Sequence, residues 1–134
     1  IHAGYLEEAL KSKGVVPYEY KPLPAQMAMF NAFEGLTETV ERIAAFPMAG
    51  EGVADYLIGK SLNVGTVPAW VTSPYQKIHE DEEEHGNYPF EILVKYATTP
   101  EKQERAARAV AMSLILRRQY FDNLDRWVLE DKMY

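Results

Sequence analysis

The residues best suited to chemistry lie close together, in segment 78–86 with the sequence IHEDEEEHG. This segment contains two of the three histidines of the chain and five acidic residues. A helix turns about 100° per residue, so some of these polar residues fall on the same side of the helix as the nearby apolar side chains. The polar positions predicted to face the core are His79, Glu82 and Glu83, with His85 at the edge of their sector. The positions predicted to face solvent are Glu80, Asp81 and Glu84.

Carboxylates that point into a protein core need a positive partner, because burying an ionised group without one costs several kcal/mol. A divalent metal ion is the strongest such partner, and Glu82 and His85 have the Glu-x-x-His spacing used in di-iron carboxylate bundles. The alternative is an acidic, solvated helix face with ordinary histidines, and the tetrapeptide alone leaves both interpretations open.

A second acidic residue stands alone in an apolar setting. Glu51 is the only charged residue between Arg42 and Asp55, and on a helix it shares a face with Ile58. That spacing predicts a carboxylate pointing into the bundle, whereas a loop at the flanking glycines would leave it solvated. His2 is the third candidate ligand, with an exposed terminal histidine as the alternative. A donor set of nitrogen and oxygen without sulfur favours iron, with manganese as the second choice.

The hydrophobic pattern predicts an all-α protein, since no strand-like alternation extends over more than a few residues. Predicted helices end at Gly14, run from Ala25 to Phe46, from about 51 to 60, from about 70 to 97 and from Pro100 to about 130. The apolar residues predicted to face the core on the helix 70–97 are Tyr75, Phe90, Leu93, Val94 and Ala97.

The last predicted helix has a polar interruption in its apolar face. Its predicted buried stripe comprises Ala106, Val110, Ser113, Arg117, Tyr120, Leu124 and Val128. Arg117 either binds a substrate carboxylate or neutralises a buried glutamate. Tyr56, Tyr75 and Tyr120 either donate hydrogen bonds in the same cavity or belong to the core.

Composition excludes several classes of protein. The 134 residues include 14 basic and 20 acidic ones, and this net charge of -6 disfavours nucleic acid and anionic membranes as partners. The absence of cysteine excludes disulfides and thiolate chemistry. No apolar run has the length of a membrane span, so a cytoplasmic protein is predicted. We expect a single helical domain, 1–134, that lacks its N-terminal helices, because the chain begins without methionine.

Three segments resemble a known superfamily: HAGYLEEALKSKGV, AAFPMAGEGVADYLIGKSL, and the sequence from YQKIHEDEEEHG through TPEKQERA to the aromatic-ended last helix. They are similar to the C-terminal part of the thiaminase II and pyrroloquinoline-quinone synthase superfamily, and most of all to its haem-oxygenase-like di-iron oxidases. The resemblance implies a haem-oxygenase-like helical bundle, with a ferritin-like four-helix bundle as the alternative fold. The metal ligands that it implies are His2, Glu51, His79, Glu82 or Glu83, and His85.

The match to the family pattern His-x-x-x-Asp-x-x-His is imperfect. The histidines here are six residues apart instead of seven, and glutamate replaces aspartate. A π-bulge near Pro89 would reconcile the two spacings. Thiaminase activity is disfavoured, because that branch of the superfamily uses a cysteine.

The leading hypothesis is an oxidoreductase that activates dioxygen at a non-haem site of two iron ions and oxidises a small organic substrate. The second is a metal-free oxidase resembling pyrroloquinoline-quinone synthase, with His79, His85, Tyr75 and Arg117 around an aromatic substrate. The third is a non-catalytic helical protein that binds a partner. A homodimer is compatible with each of them.

Overall fold

The computed structural model describes residues 2–19, 21–85 and 88–130, without the side chains of 82–85 and 130. All regular structure in these ranges is helical, which confirms the all-α prediction. The elements are α1 (His2–Lys11), α2 (Pro24–Glu34), α3 (Thr39–Ile43), a π-helix (Ala44–Glu51), α4 (Gly52–Leu62), α5 (Ala69–His85), α6 (Tyr88–Tyr96) and α7 (Pro100–Glu130). None of the described helices is long and apolar enough to cross a membrane.

The chain divides into two compact units. The first contains α1, α4 and α5, and the second contains α2, α3, the π-helix up to Gly50, α6 and α7. Whether both belong to one domain, as the sequence predicts, stays a prediction.

In the first unit, α5 packs against both α1 and α4. The predicted stop of α1 is confirmed: Gly14 has φ +74°, a conformation that glycine adopts without strain. The amide of Gly14 donates to the carbonyl of Lys11, and that of Val15 to the carbonyl of Leu10, which completes a Schellman cap. The helix end is therefore encoded locally.

In the second unit, the single helix predicted over 25–46 is wrong, because α2 ends at Glu34 and α3 begins at Thr39. The amide of Glu38 donates to Glu41 Oε2 at 3.2 Å, a side-chain contact that starts a new helix. The buried residues of α2, α3 and the start of the π-helix include Met29, Val40 and Ala44.

The chain passes Pro47 in a π-helix that extends from Ala44 to Glu51. Proline has no amide hydrogen to donate, and the wider π turn carries the chain past it without ending the helix. Pro89, where the sequence analysis places a π-bulge, lies instead in the regular α-helix α6.

The predicted helix 70–97 is described as two helices, α5 and α6, and residues 86–87 between them lie outside the described ranges. In α6, Leu93 is buried as predicted, but Phe90 is 57% exposed and Val94 65% exposed. Their predicted core position is wrong. α6 packs against α3 in the second unit, and this contact determines which side of α6 is buried.

The long helix α7 starts as predicted. The Thr99 side chain accepts a hydrogen bond from the amide of Lys102 at 3.3 Å, and Pro100 is the first helical residue. Small residues of α7, Ala106 and Ala109, pack in one core cluster with Val40, Ala44 and Ala45.

An ion pair between α3 and α7 gives the second unit a pH-dependent contribution to stability. Arg105 Nε donates to Glu41 Oε1 at 2.9 Å, and this bond holds the pKa of Glu41 below its ordinary value of 4.5. The ionised form is thus favoured in the folded state, so the stabilisation is present above that ordinary pKa and lost as the pH falls through the lowered one. We expect Glu41→Gln to lower the free energy of unfolding by about 1 kcal/mol at neutral pH.

Urea unfolding of both proteins across the acid range checks this expectation. The difference between them should shrink as the pH falls below 4.5. The matched control is Glu104→Gln, which changes an exposed glutamate of α7. A difference that stays constant down to acidic pH would contradict the assignment.

Candidate functional site

The closest contact between α4 and α5 is a histidine–aspartate pair. His79 Nδ1 and Asp55 Oδ1 are 2.6 Å apart, and the His79 side chain is partly buried while that of Asp55 is about half exposed. The inward position predicted for His79 is confirmed. A carboxylate at this distance fixes the orientation of the imidazole.

The other edge of the His79 ring also faces α4. A side-chain carbon placed on Gly59 would lie 3.7 Å from His79 Cε1 and 3.9 Å from Nε2. Asp55 and Gly59 are four residues apart on α4, so they share one face of that helix. The imidazole therefore lies along α4, with both of its nitrogens near that helix.

A second histidine–aspartate pair joins α1 to α5. His2 Nε2 lies 3.3 Å from Asp81 Oδ2, and both side chains are partly exposed. The Asp81 side chain is 40% exposed, so the prediction that it faces solvent is confirmed only in part, because α1 packs beside it on α5. Glu80 is exposed as predicted, and its carboxylate accepts a hydrogen bond from Gln76.

Glu51 is the last residue of the π-helix and is partly buried. Its helical setting contradicts the alternative of a glycine loop. Ile58, on the same predicted face, is buried, which supports an inward direction. Asp55 follows Glu51 by one helical turn.

The side chains of four predicted residues lie outside the described part of the structure. These are the predicted ligands Glu82, Glu83 and His85, and Glu84, which was predicted to face solvent. Among the side chains that are described, no three of histidine, aspartate and glutamate form a group that could hold a metal ion. The described part of the first unit thus supplies two histidine–aspartate pairs and Glu51, all nitrogen and oxygen donors.

Asp55 is the functional residue that the sequence analysis missed. The signal in the sequence was the spacing Glu51-x-x-x-Asp55, which places two carboxylates one helical turn apart in a segment with no other charged residue before Lys60. Its partner is 24 residues away in the chain, and no local pattern reports such a pairing.

In the second unit, Arg117 and Ser113 interrupt the apolar stripe of α7 as predicted. Val128, at the end of that stripe, is 40% exposed, so its predicted buried position is wrong. Ser113 is fully buried and donates from Oγ to the carbonyl of Ala45 in the π-helix at 2.6 Å. The same hydroxyl accepts a hydrogen bond from Arg117 Nε at 3.3 Å. Arg117 also lies over the ring of Phe33, with Cζ 5.6 Å from its centroid.

Gly50 makes room for the Arg117 guanidinium. A side-chain carbon on Gly50 would lie 3.0 Å from Arg117 Cζ and would meet Nη2 more closely still. Arg117 is half-buried, and burial lowers the pKa of its guanidinium. Within the described part of the chain none of the ion pairs includes Arg117.

The predicted tyrosines lie in different places. Tyr75 belongs to the first unit and is 37% exposed, and Tyr56 of the same unit is 63% exposed. Tyr120 belongs to the second unit, is partly buried and packs against the ring of Phe121. A core position is therefore wrong for both Tyr56 and Tyr75, whose side chains are exposed.

The second unit also contains an open apolar cavity of about 530 Å³. Phe33 forms part of its wall and contacts Phe46 edge-to-face. The other lining residues are Phe30, Glu34, Leu36, Arg42, Ile43 and Pro47. Its size is within the usual range for small-molecule sites.

The chain matches no family model, no curated protein and no solved structure.

Proposed function

We propose that this chain belongs to an oxidoreductase of haem-oxygenase-like fold that activates dioxygen at a non-haem di-iron site and oxidises a small organic substrate. The observation that carries the proposal is the pair of histidine–aspartate contacts, His79–Asp55 and His2–Asp81. They join α4 and α1 to α5 at the turn where its acidic and histidine-rich sequence begins.

The proposed iron ligands are His2, Glu51, Glu82 and His85. Ile78 is buried, so it marks the inner side of α5. α5 is continuous to His85, and the positions four and seven residues after Ile78 return to the same side of an α-helix. Those positions are 82 and 85, whereas 83 falls on a different side. Spacing thus favours Glu82 over Glu83 as the ligand.

In this proposal His79 is a positioning residue. Both of its nitrogens lie near α4, where Asp55 holds one of them. The His79–Asp55 pair fixes α4 against α5. Glu51 lies one helical turn before Asp55, so the two residues share one side of this helical segment. The pair therefore sets the distance of Glu51 from the inner side of α5.

The donor set fits iron in its chemistry, since it consists of imidazoles and carboxylates without thiolate, and manganese is the second choice. Iron held by these residues would supply the dioxygen chemistry that the side chains of the protein cannot carry out themselves. The role of the chain is to orient the ligands and to bind the substrate. Arg117, with its half-buried guanidinium beside Phe33, is the proposed partner of a substrate carboxylate. Tyr75 in the first unit and Tyr120 in the second unit stay predicted hydrogen-bond donors.

A second candidate function is the metal-free oxidase. The 2.6 Å contact between Asp55 and His79 favours it to the extent that a carboxylate-bound imidazole can serve as a general base. In that case substrate oxidation proceeds without iron, and the two candidates differ in their metal content. A non-catalytic binding protein would show neither iron nor substrate-dependent oxygen consumption.

Metal analysis of the full-length protein, produced with iron, tests the proposal. We expect two equivalents of iron in the wild type and loss of bound iron in Glu51→Ala and in His85→Ala. Glu80→Ala is the matched control, because it removes an exposed carboxylate from the same helix as His85. It should retain both iron ions.

Oxygen uptake with candidate substrates completes the test. Wild-type protein without iron, or variants that lose no iron, would overturn the di-iron proposal. Substrate-dependent oxygen consumption by an iron-free wild type would then identify the metal-free oxidase.

A further inference from the structure

The helix α7 has an exposed apolar face beside its buried one. Leu114, Phe121 and Val128 are seven residues apart, so they fall on one side of the helix. They are 41%, 41% and 40% exposed. Arg118 and Asp125, also exposed and seven residues apart, lie between them. We call these five residues the α7 stripe.

The order of charges in the α7 stripe is self-complementary. Arg118 and Asp125 lie at nearly equal distances before and after Phe121, and Leu114 and Val128 lie seven residues on either side of it. In an antiparallel helix pair centred on Phe121, Leu114 of one copy faces Val128 of the other. Arg118 of each copy then comes close to Asp125 of the other, which gives two intermolecular ion pairs.

A parallel pair of the same helices is disfavoured. It would bring Arg118 to Arg118 and Asp125 to Asp125, and like charges at a helix contact are repulsive. Within the described part of one chain, Arg118 Nε forms one ion pair, with Asp122 at 3.8 Å, between two largely exposed side chains. Such a contact is weak and leaves Arg118 free to exchange partners.

We propose that the α7 stripe binds a second copy of this chain in antiparallel orientation, which makes the protein a homodimer. Exposed Ile115 and Leu129 border the stripe and widen the apolar area. The stripe covers about 21 Å of helix at 1.5 Å per residue, and its aromatic centre and charged pairs are the features that specify a register. This inference is independent of the proposed iron site.

Sedimentation analysis of the full-length protein at micromolar concentrations tests the proposal by charge reversal. The wild type should be a dimer, and Arg118→Glu or Asp125→Arg alone should each raise the dissociation constant about tenfold or more. The double variant Arg118→Glu/Asp125→Arg should restore dimerisation, because the two ion pairs re-form with their signs exchanged. Arg126→Glu reverses the charge of an exposed residue outside the stripe, so it should leave the dissociation constant of the dimer unchanged.

Phe121→Asp should give a monomer with the helical circular dichroism of the wild type. A monomeric wild type would overturn the proposal. Protection of 114–128 from hydrogen exchange in that monomer would show that another segment of the same chain covers the stripe. A dimer insensitive to Phe121→Asp, or single reversals that the double variant does not rescue, would also overturn it.

Discussion

Asp55→Asn should weaken iron binding by up to about tenfold, which is the equivalent of one charge-assisted hydrogen bond, while the number of iron ions bound at saturation stays unchanged. The reason is that Asp55 is not a proposed ligand but holds His79 at 2.6 Å, and this contact fixes α4 against α5. Asparagine has nearly the same shape but no charge, so it weakens the contact without opening a cavity. Iron titration with a competing chelator measures the affinity and the stoichiometry together.

His79→Phe should have an effect of similar size, and the double variant should be no worse than either single one. Two residues that act only through their mutual contact are strongly non-additive. Glu80→Gln, on the exposed side of α5, is the matched control. Loss of one iron equivalent in His79→Phe, with full occupancy in Asp55→Asn, would instead make His79 a ligand. Thermal unfolding of each variant shows that the fold is retained.

The elements that sequence reasoning predicted well are those encoded within a few residues. Gly14 stops α1 through its own backbone conformation, and Thr99 with Pro100 starts α7. These signals need no knowledge of the tertiary structure. The break between α2 and α3, by contrast, was not predicted. The apolar period continues across it, while the contact between Glu38 and Glu41 that starts α3 is a weaker signal.

The sequence predicts which side of its helix each site residue occupies, but not which residue it contacts. Helical phase places His79 inward and both Ser113 and Arg117 on the buried side of α7, and the structure agrees. Their partners Asp55 and Ala45 are 24 and 68 residues away in sequence, at distances over which periodicity carries no information. The same limit explains Asp81. Its position on α5 is as predicted, but the packing of α1 beside it could not be read from α5 alone.

The close approach of the π-helix to α7 makes Gly50 the most sensitive glycine of the second unit. Gly50→Ala should lower the free energy of unfolding by about 1–3 kcal/mol, because the added carbon would meet the Arg117 guanidinium. The guanidinium cannot turn away without cost, since it lies over Phe33 and bonds to the buried hydroxyl of Ser113. Urea unfolding measures the change.

Gly52→Ala is the matched control, since nothing lies within 4 Å of a side-chain carbon at that position. Alanine has the higher helix propensity, so this variant should be as stable as the wild type or more stable by up to about 1 kcal/mol. A loss of stability equal to that of Gly50→Ala would mean that both effects come from the backbone and that Arg117 is not the cause.

The cause is isolated by combining Gly50→Ala with Arg117→Ala. When the guanidinium is removed, the alanine at position 50 has space, so most of the cost of Gly50→Ala should disappear in the double variant. The contact between position 50 and Arg117 should also affect substrate binding. Displacing Arg117 in Gly50→Ala should raise KM for a carboxylate substrate and leave it unchanged in Gly52→Ala. A Gly50→Ala penalty that persists without the Arg117 side chain would show that the π-helix itself, and not the arginine, excludes a larger residue.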